Sequence, residues 1–551
     1  MSAVMEATAP PVVRGEQRRS WAAVFALARF EAREMLMQVP VAVTLLVYVG
    51  YTGWKLLFPP DGMDAYPALQ DVDRATQTTP TLLGFVLFLA VNRAALRSRR
   101  RGTDRHFDVL VMEPWRRTVG HAMSLVPFGV VTALVVLAQF TWQALRPGAV
   151  GHGSVAELAV APLYVLLCGA VGLLIARLIP SVFAAPLAVL GLFTFLMFVS
   201  TGTSGAQWSR WLSPVVSENS NSTLPSDLVG RPAGWHALYL GGLVLVAAMA
   251  AVLCAPRGVH GDAVFRLRHR RGWSRPAAEP HMKTAPRPFG ARPLADGGRT
   301  WPLKAATAGA LALAVTGAVG QSGGVSPELA TARERATVSP EREQSCVRHG
   351  SSQYCAFGEW SARTGAWAGV VDRVQALAGG AAASRPLLVR QRVEARYGLD
   401  GDAAIAPSAT PGQVTVGTRW GGNRVPEFAV AVASVLVGGD EKTGSELCDG
   451  RVVTVMWLAL GRDADPVADL KNVRLDDSLS GPAIALTPTN PLSMSAGQTD
   501  VVRELLSRPR AEVTSVVKSH WAQLTAPGVK TADVARVLGT EVPKEADECG
   551  K

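Results

Sequence analysis

Residues 155–177 read VAELAVAPLYVLLCGAVGLLIAR, and the fold turns on how this stretch is read. Glu157 stands near its start and Arg177 at its end, with no charged residue between them. A bilayer core of roughly 30 Å takes about 20 mostly apolar helical residues, because each residue rises roughly 1.5 Å. Val155–Arg177 meets that length. Six further stretches pass the same test: Val39–Phe58, Pro80–Leu96, Met123–Leu145, Ser181–Ser200, Trp235–Cys254 and Lys304–Gln321. The last is mostly Ala, Gly and Val, a composition that can span when it packs closely against neighbours. The expected fold class is a polytopic α-helical membrane protein of about seven spans, followed by a C-terminal mixed α/β soluble domain.

The averages over all 551 residues, 48% hydrophobic with a formal charge of +11, hide this segregation. Most of the excess basic charge falls in two loops. Arg93, Arg97, Arg99, Arg100, Arg101, Arg105, Arg116 and Arg117 lie between the second and third spans. Arg257, Arg266, Arg268, Arg270, Arg271 and Arg275 lie between the sixth and seventh. The first inter-span loop instead carries Asp61, Asp64, Asp71 and Asp73. The positive-inside rule then puts the N-terminus and both basic loops in the cytoplasm and the C-terminal domain outside. Basic charge that orients spans is not a nucleic-acid face, and none with interleaved aromatics occurs elsewhere, so no nucleic-acid partner is expected. Met1–Ser20 is polar and leads into no apolar core with a small-residue cleavage site, so no cleaved signal peptide is expected.

Trp21, Val24, Phe25, Ala28, Ala32, Met35, Leu36 and Val39 recur at the spacing of one helical face. This predicts an interfacial helix along the cytoplasmic leaflet, bent into the first span at Pro40. Within the spans, Asn92 and Gln139 are polar, while Glu157 and Arg177 sit near helix ends, where long side chains reach the interface. Proton relays need carboxylates, His or Lys inside the bundle. Their scarcity counts against a proton-coupled pump and fits a protein powered from elsewhere.

The loop 97–120 reads RSRRRGTDRHFDVLVMEPWRRTVG. Thr103 or Asp104 can cap a short helix with Phe107, Leu110 and Val111 on one face, which Pro114 then breaks. With Arg101, Gly102, Asp108 and Glu113 it makes a peg on which a soluble partner could dock. Together with the interfacial helix, the Arg101-Gly102-Thr103 and Pro114-x-x-Arg117 motifs, and the tight Ile179-Pro180-Ser181 turn, this loop resembles that of ABC-2-type transporter permeases of the actinobacterial kind. The resemblance covers roughly residues 20–255 and departs where Arg99 to Arg101 replace the usual acidic residue. A seventh span and the outer domain are additions to the six-span plan. The resemblance implies that the loop couples to a separate ABC ATPase subunit and that the chain pairs with a second permease chain, as a homo- or heterodimer. No Gly-x-x-x-x-Gly-Lys-Ser/Thr phosphate loop occurs in the chain, so ATP hydrolysis is expected in a partner and not here.

The expected organisation is a cytoplasmic tail over 1–20, an interfacial helix over 21–38 and a six-span domain over 39–255. A basic loop over 256–303, a seventh span over 304–321 and an extracytoplasmic domain over 322–551 follow. Gln321–Ser345 reads as a linker by composition. Beyond it, Trp360–Ala378 has helical periodicity, Pro386–Val393 reads as a strand, and the apolar runs Phe428–Val437 and Arg451–Leu460 fit either type. Thr499–Leu506, Glu512–Leu524 and Thr531–Leu538 read as helices.

Four cysteines, Cys346, Cys355, Cys448 and Cys549, fall in this domain, an even number that favours two disulfides in an oxidising compartment. Cys346 and Cys355 are close enough to close a small loop, leaving Cys448 with Cys549. Cys168 and Cys254 read as packing residues of the spans. No metal site or cofactor is expected: His-Glu-x-x-His is absent and only His349 lies near the cysteines. Gly320-Gln-Ser322-Gly-Gly324 matches a nucleophile elbow in letters only, since it follows a span rather than a strand. Ser478-Leu479-Ser480-Gly481 matches an ABC signature only in part, and His520 is read as a packing or surface residue. The other reading of the whole chain is a membrane-anchored sensor or assembly factor whose outer domain binds a partner.

Overall fold

A backbone in lipid must satisfy its own hydrogen bonds, so long apolar stretches fold as helices. A computed structural model of the chain follows that rule from residue 39 onward. It describes residues 13–58, 62–102, 112–201, 212–215, 224–255, 297–324, 326–393, 405–489 and 491–544. The first half is built of α1 (Val13–Leu36), α2 (Val39–Leu57), α3 (Leu69–Ala75), α4 (Thr81–Arg100), α5 (Pro114–Met123) and α6 (Val126–Ala144). α7 (Val155–Leu178), α8 (Ala184–Thr201), the short α9 (Ser226–Val229), α10 (Ala233–Leu253) and α11 (Gly297–Ser322) complete it. Among the described residues, six stretches are long and apolar enough to cross a membrane: α2, α4, α5 with α6, α7, α10, and a segment beginning at Trp301 in α11.

The fifth expected span, Ser181–Ser200, is the one that falls short, because its described apolar part is only Ala184–Met197. α8 packs against α4 and α7. α7 begins beside α3 and ends at Leu178 on the far side, while Leu224 is back beside Gln70 of α3. The 18 residues of α8 rise about 27 Å, close to the hydrocarbon thickness.

α7 is the hub, buried around most of its circumference and packed by α4, α6 and α10. It approaches α4 so closely that a Cβ on Gly172 would lie 2.4 Å from the Phe88 carbonyl oxygen. The Asn92 amide donates to the Gly172 carbonyl at 3.1 Å, supplying in an apolar interior the partner a polar side chain needs there. α10 and α11 run antiparallel through a seam of small residues. A Cβ on Gly317 would meet the Tyr239 backbone nitrogen at 2.5 Å, and Ala310 and Ala314 are buried along the same seam. The Ala- and Gly-rich composition of the last span is thus what lets it pack. Outward, Leu46, Trp54, Leu187, Leu190, Val315 and Val319 leave an exposed apolar belt suited to lipid.

The C-terminal domain is mixed, as expected. After α12 (Pro327–Val338) comes a four-stranded sheet in the order β1 (Gln344–His349), β2 (Ser352–Phe357), β3 (Leu388–Gln391), β4 (Gln413–Val416). β1 and β2 are antiparallel, while β2, β3 and β4 are parallel. α13 (Thr364–Gln375), α14 (Arg424–Gly438), α15 (Glu441–Ser445), α16 (Arg451–Leu460) and α17 (Pro466–Val473) enclose a core that includes Trp360, Trp367, Phe428 and Trp457. A two-stranded ribbon, β5 (Ala483–Ala485) with β6 (Leu492–Met494), leads to α18 (Ala496–Ser507), α19 (Arg510–Ser519), α20 (Trp521–Leu524) and α21 (Thr531–Leu538).

The linker expected over Gln321–Ser345 is not one. α11 continues to Ser322, and α12 then starts where Ser326 Oγ accepts the Leu329 amide at 3.2 Å with Pro327 in the first turn. Ser326 and Pro327 are here a helix N-cap and first turn. Both ambiguous apolar runs are helices, α14 and α16.

Candidate functional site

Two ends of the bundle hold the residues singled out above. At one, α4 finishes at Arg100, with Arg101 as its cap and Gly102 at φ +66° turning the chain away. Thr103, Asp104, Phe107, Asp108, Leu110 and Val111 lie outside the described residues. Glu113 caps α5, accepting from Trp115 Nε1 at 2.6 Å and facing Arg116 Nε at 3.2 Å. α5 packs along α1, where Gly120 sits against Leu27 and Trp21 meets Trp115 edge to face at 6.3 Å. Arg97 of α4 lies 3.6 Å from both Glu31 and Glu34 of α1. α1, α5 and the last turn of α4 therefore form a platform at this end of the bundle. α1 buries Val24, Ala28 and Met35 against this platform and exposes Trp21, Phe25 and Phe30. The expected apolar face thus divides, part of it packing on protein and part remaining exposed.

At the other end, the segments 62–80 and 145–154 pair, the Leu69 amide donating to the Val150 carbonyl at 2.9 Å and the Val150 amide to the Pro67 carbonyl at 3.0 Å. Under them sits a buried ionic network. Arg74 Nη2 donates to Glu157 Oε1 at 3.0 Å, with both side chains 3% exposed or less. Gln77 donates to the same carboxylate. Asp73 accepts the Ser154 amide at 2.9 Å and faces Arg231 at 3.5 Å, while Arg231 also faces Asp71 at 3.7 Å. Burial pushes the Asp73 carboxyl up to about 6; the nearby Glu157 adds to this, while the Ser154 amide and Arg231 pull the other way. Glu157 does sit near a helix end, as expected, but its side chain is buried against Arg74, the charged partner that a carboxylate taken out of water needs. His236, near the start of α10, is also buried and meets Gln321 of α11 at 3.0 Å. Buried ionisable groups therefore cluster at this end, on α3, just before α10 and in the first turns of α7 and α10.

The C-terminal domain is seated on these loops. Arg363 is buried, and its guanidinium donates to the carbonyls of Tyr66 at 2.8 Å, Gly148 at 3.2 Å and Thr418 at 3.1 Å. Burial lowers its proton affinity to a pKa of about 10, so it stays charged near neutrality. Glu359 Oε2 accepts from the amide and the hydroxyl of Ser226, each at 3.0 Å. Arg333 Nε of α12 donates to the Leu228 carbonyl at 2.7 Å. His152 Nε2 lies 2.9 Å from Asp227 Oδ1, and with Glu359 these form a trio whose ligand atoms all fall within 4.8 Å. Among the described residues it is the one group with the geometry to hold a metal ion, though His152 and Asp227 are exposed.

The remaining sequence candidates have structural uses. Cys346 and Cys355 face each other across β1 and β2 and are bonded. Cys448 is disulfide-bonded, and Cys549 lies outside the described residues. Cys168 is buried, but Cys254, just past the end of α10, is exposed. Ser322 Oγ donates to the Val319 carbonyl of its own helix. The Ser478–Gly481 loop wraps Arg474, whose Nη2 donates to Ser478 Oγ and the Ser480 carbonyl, each at 2.9 Å. His520 is exposed at the α19–α20 junction and meets Ser519.

This is the architecture of a multi-pass helical membrane protein with a mixed α/β domain fixed to one end of its bundle. No family model, no curated protein and no solved structure matches the chain.

Proposed function

We propose that the chain is the membrane permease subunit of an ABC transporter, an exporter driven by a separate ATP-binding subunit. The observation that carries this reading is the platform that α1, α5 and the end of α4 form at the end of the bundle away from the C-terminal domain. A soluble ATPase that engages residues 101–113 there would push on α4 and α5 together. α4 lies against the hub α7, whose far end meets Arg74 of α3. The basic end is cytoplasmic in this reading, and the domain caps the bundle from outside. The exposed belt on α2 and α8 is where a second permease chain would pack.

Affinity purification from the native membrane in mild detergent, with mass spectrometry of what accompanies the chain, tests the reading. A stoichiometric ABC ATPase is the expected companion. Recovery without any nucleotide-binding protein, even after cross-linking, sinks it in favour of the sensor or assembly reading. One observation favours that alternative: a cleft of about 730 Å³ on the domain, lined by Val467, Gly497, Asp500, Arg503, Glu504 and Pro543, is roomy enough for a partner's side chains.

A further inference from the structure

Where α1 gives way to α2, the last two turns of α4 form the other wall of a pocket of about 460 Å³. Its lining combines Gln38 and Pro40 at the bend with Arg93, Arg97, Arg100 and Arg101 of α4 and its cap. Four arginines thus line one concavity. Glu31 and Glu34 answer only Arg97. Arg93, Arg100 and Arg101 have no ion pair among the described residues. Orientation of the spans needs basic residues near this interface, but it does not need them gathered around a pocket with their charge unanswered.

We infer that this pocket binds the phosphodiester headgroup of an anionic glycerophospholipid. Guanidinium forks match phosphate oxygens in pairs, and the bonds are strengthened by charge. Depth argues for a lipid over a free phosphate. Arg93 lies seven residues before Arg100, about 10 Å along the α4 axis, so the basic wall reaches from the helix end toward the apolar zone. Beside the mouth, Val39, Val43 and Leu46 of α2 are 72%, 53% and 72% exposed, an apolar track along which an acyl chain can lie. A bound lipid would fill the angle between α1 and α2 and hold α1 against the bundle. The inference rests on the bundle lying in a bilayer and not on the transporter reading.

The test uses the full chain in detergent, with thermal melting and native mass spectrometry after addition of phosphatidylglycerol, phosphatidylcholine or inorganic phosphate. Phosphatidylglycerol is expected to remain bound and to raise the melting temperature, while the other two leave it unchanged. The triple variant Arg93→Gln, Arg100→Gln, Arg101→Gln is expected to bind phosphatidylglycerol on the order of a hundredfold more weakly, since each basic contact near a membrane surface contributes about fivefold. Triple replacement by Lys keeps the charge, and is expected to recover most of the binding; it also serves if the Gln variant fails to fold. Equal retention of phosphatidylglycerol by the folded Gln variant, or by the Lys and wild-type chains no better than phosphatidylcholine, overturns the site. An equal shift with inorganic phosphate overturns the lipid as its occupant.

Discussion

At the end of the bundle that carries the C-terminal domain, the side chains of Arg74, Glu157, Asp73 and Arg231 are buried, Arg74 bonded to Glu157 and Asp73 facing Arg231. At the opposite end Arg93, Arg100 and Arg101 are exposed, with no ion pair among the described residues. The first end has used its charge to join loops 62–80 and 145–154 to helix ends, and the second keeps its charge available to something outside the chain. A buried ion pair gains little over an apolar pair of the same shape, but losing one partner is costly. The paired end is therefore built to stay closed, and substitutions can test each layer of that closure.

The largest effect is expected from Glu157→Ala, which leaves the Arg74 guanidinium buried beside no carboxylate. A loss of about 4 kcal/mol follows from breaking such a pair, read as a large fall in the melting temperature in detergent. Arg74→Met with Glu157→Leu removes both charges and is expected to recover most of it. A single variant as stable as wild type would show that the pair is not the lock described here. At the opposite end, Arg100→Gln is expected to leave the melting temperature of lipid-free protein within about 0.5 kcal/mol of wild type, as an exposed unpaired charge should.

Arg363→Ala comes next. Its fork ties Tyr66, Gly148 and Thr418 together, and removing it leaves the Tyr66 and Gly148 carbonyls to find water while that of Thr418 keeps the Trp360 indole N–H. A loss of about 3 kcal/mol at the seat of the domain is expected, since hydrogen bonds to charged groups contribute about 1.5–3 kcal/mol each and water regains part of that. Hydrogen exchange should quicken in residues 62–69 and 418–421 while the sheet core around Val389 keeps its protection. Uniform quickening through the whole domain would instead make Arg363 a core residue of the domain rather than its clamp.

Much of the bundle was legible because each span is a long apolar run, and the edges of α2 and α7 fall within a residue of where the sequence put them. The type of α14 and α16 was not, because helices buried on nearly every side show no period to read. The paired end was illegible for a different reason. Arg74 and Glu157 stand 83 residues apart, and nothing local links them, so Asp71 and Asp73 counted only as loop charges and Glu157 only as a helix-end residue. The docking loop shows the converse: its residues were read with ease, but only Arg101, Gly102 and Glu113 of those candidates fall among the described residues.

Asp73→Asn sharpens the comparison through pH. The carboxyl in the folded junction holds its proton up to about pH 6, above the usual carboxylate range. Its favourable contribution is therefore complete below about pH 4 and is lost as pH rises through about 6, by at most about 3 kcal/mol. The variant keeps an oxygen for the Ser154 amide and never ionises. It should melt higher than wild type at pH 7.5, with the advantage shrinking toward pH 5. An advantage that persists unchanged at pH 5 would trace to something other than the buried charge.

The smallest effect belongs to His152. It and Asp227 are 61% and 84% exposed, and exposed ion pairs contribute about 0–1 kcal/mol. His152→Ala should lower the melting temperature by no more than that, and high salt should erase the difference by screening. Glu359 is already committed to Ser226 through one oxygen, and His152 reaches Asp227 directly, so the trio is closed without an ion. A chelator should then leave wild type and variant alike. If instead micromolar zinc raises the melting temperature of wild type and not of His152→Ala, the exposed rim of the junction is a metal clasp, and the paired end is fastened at its surface as firmly as at its core.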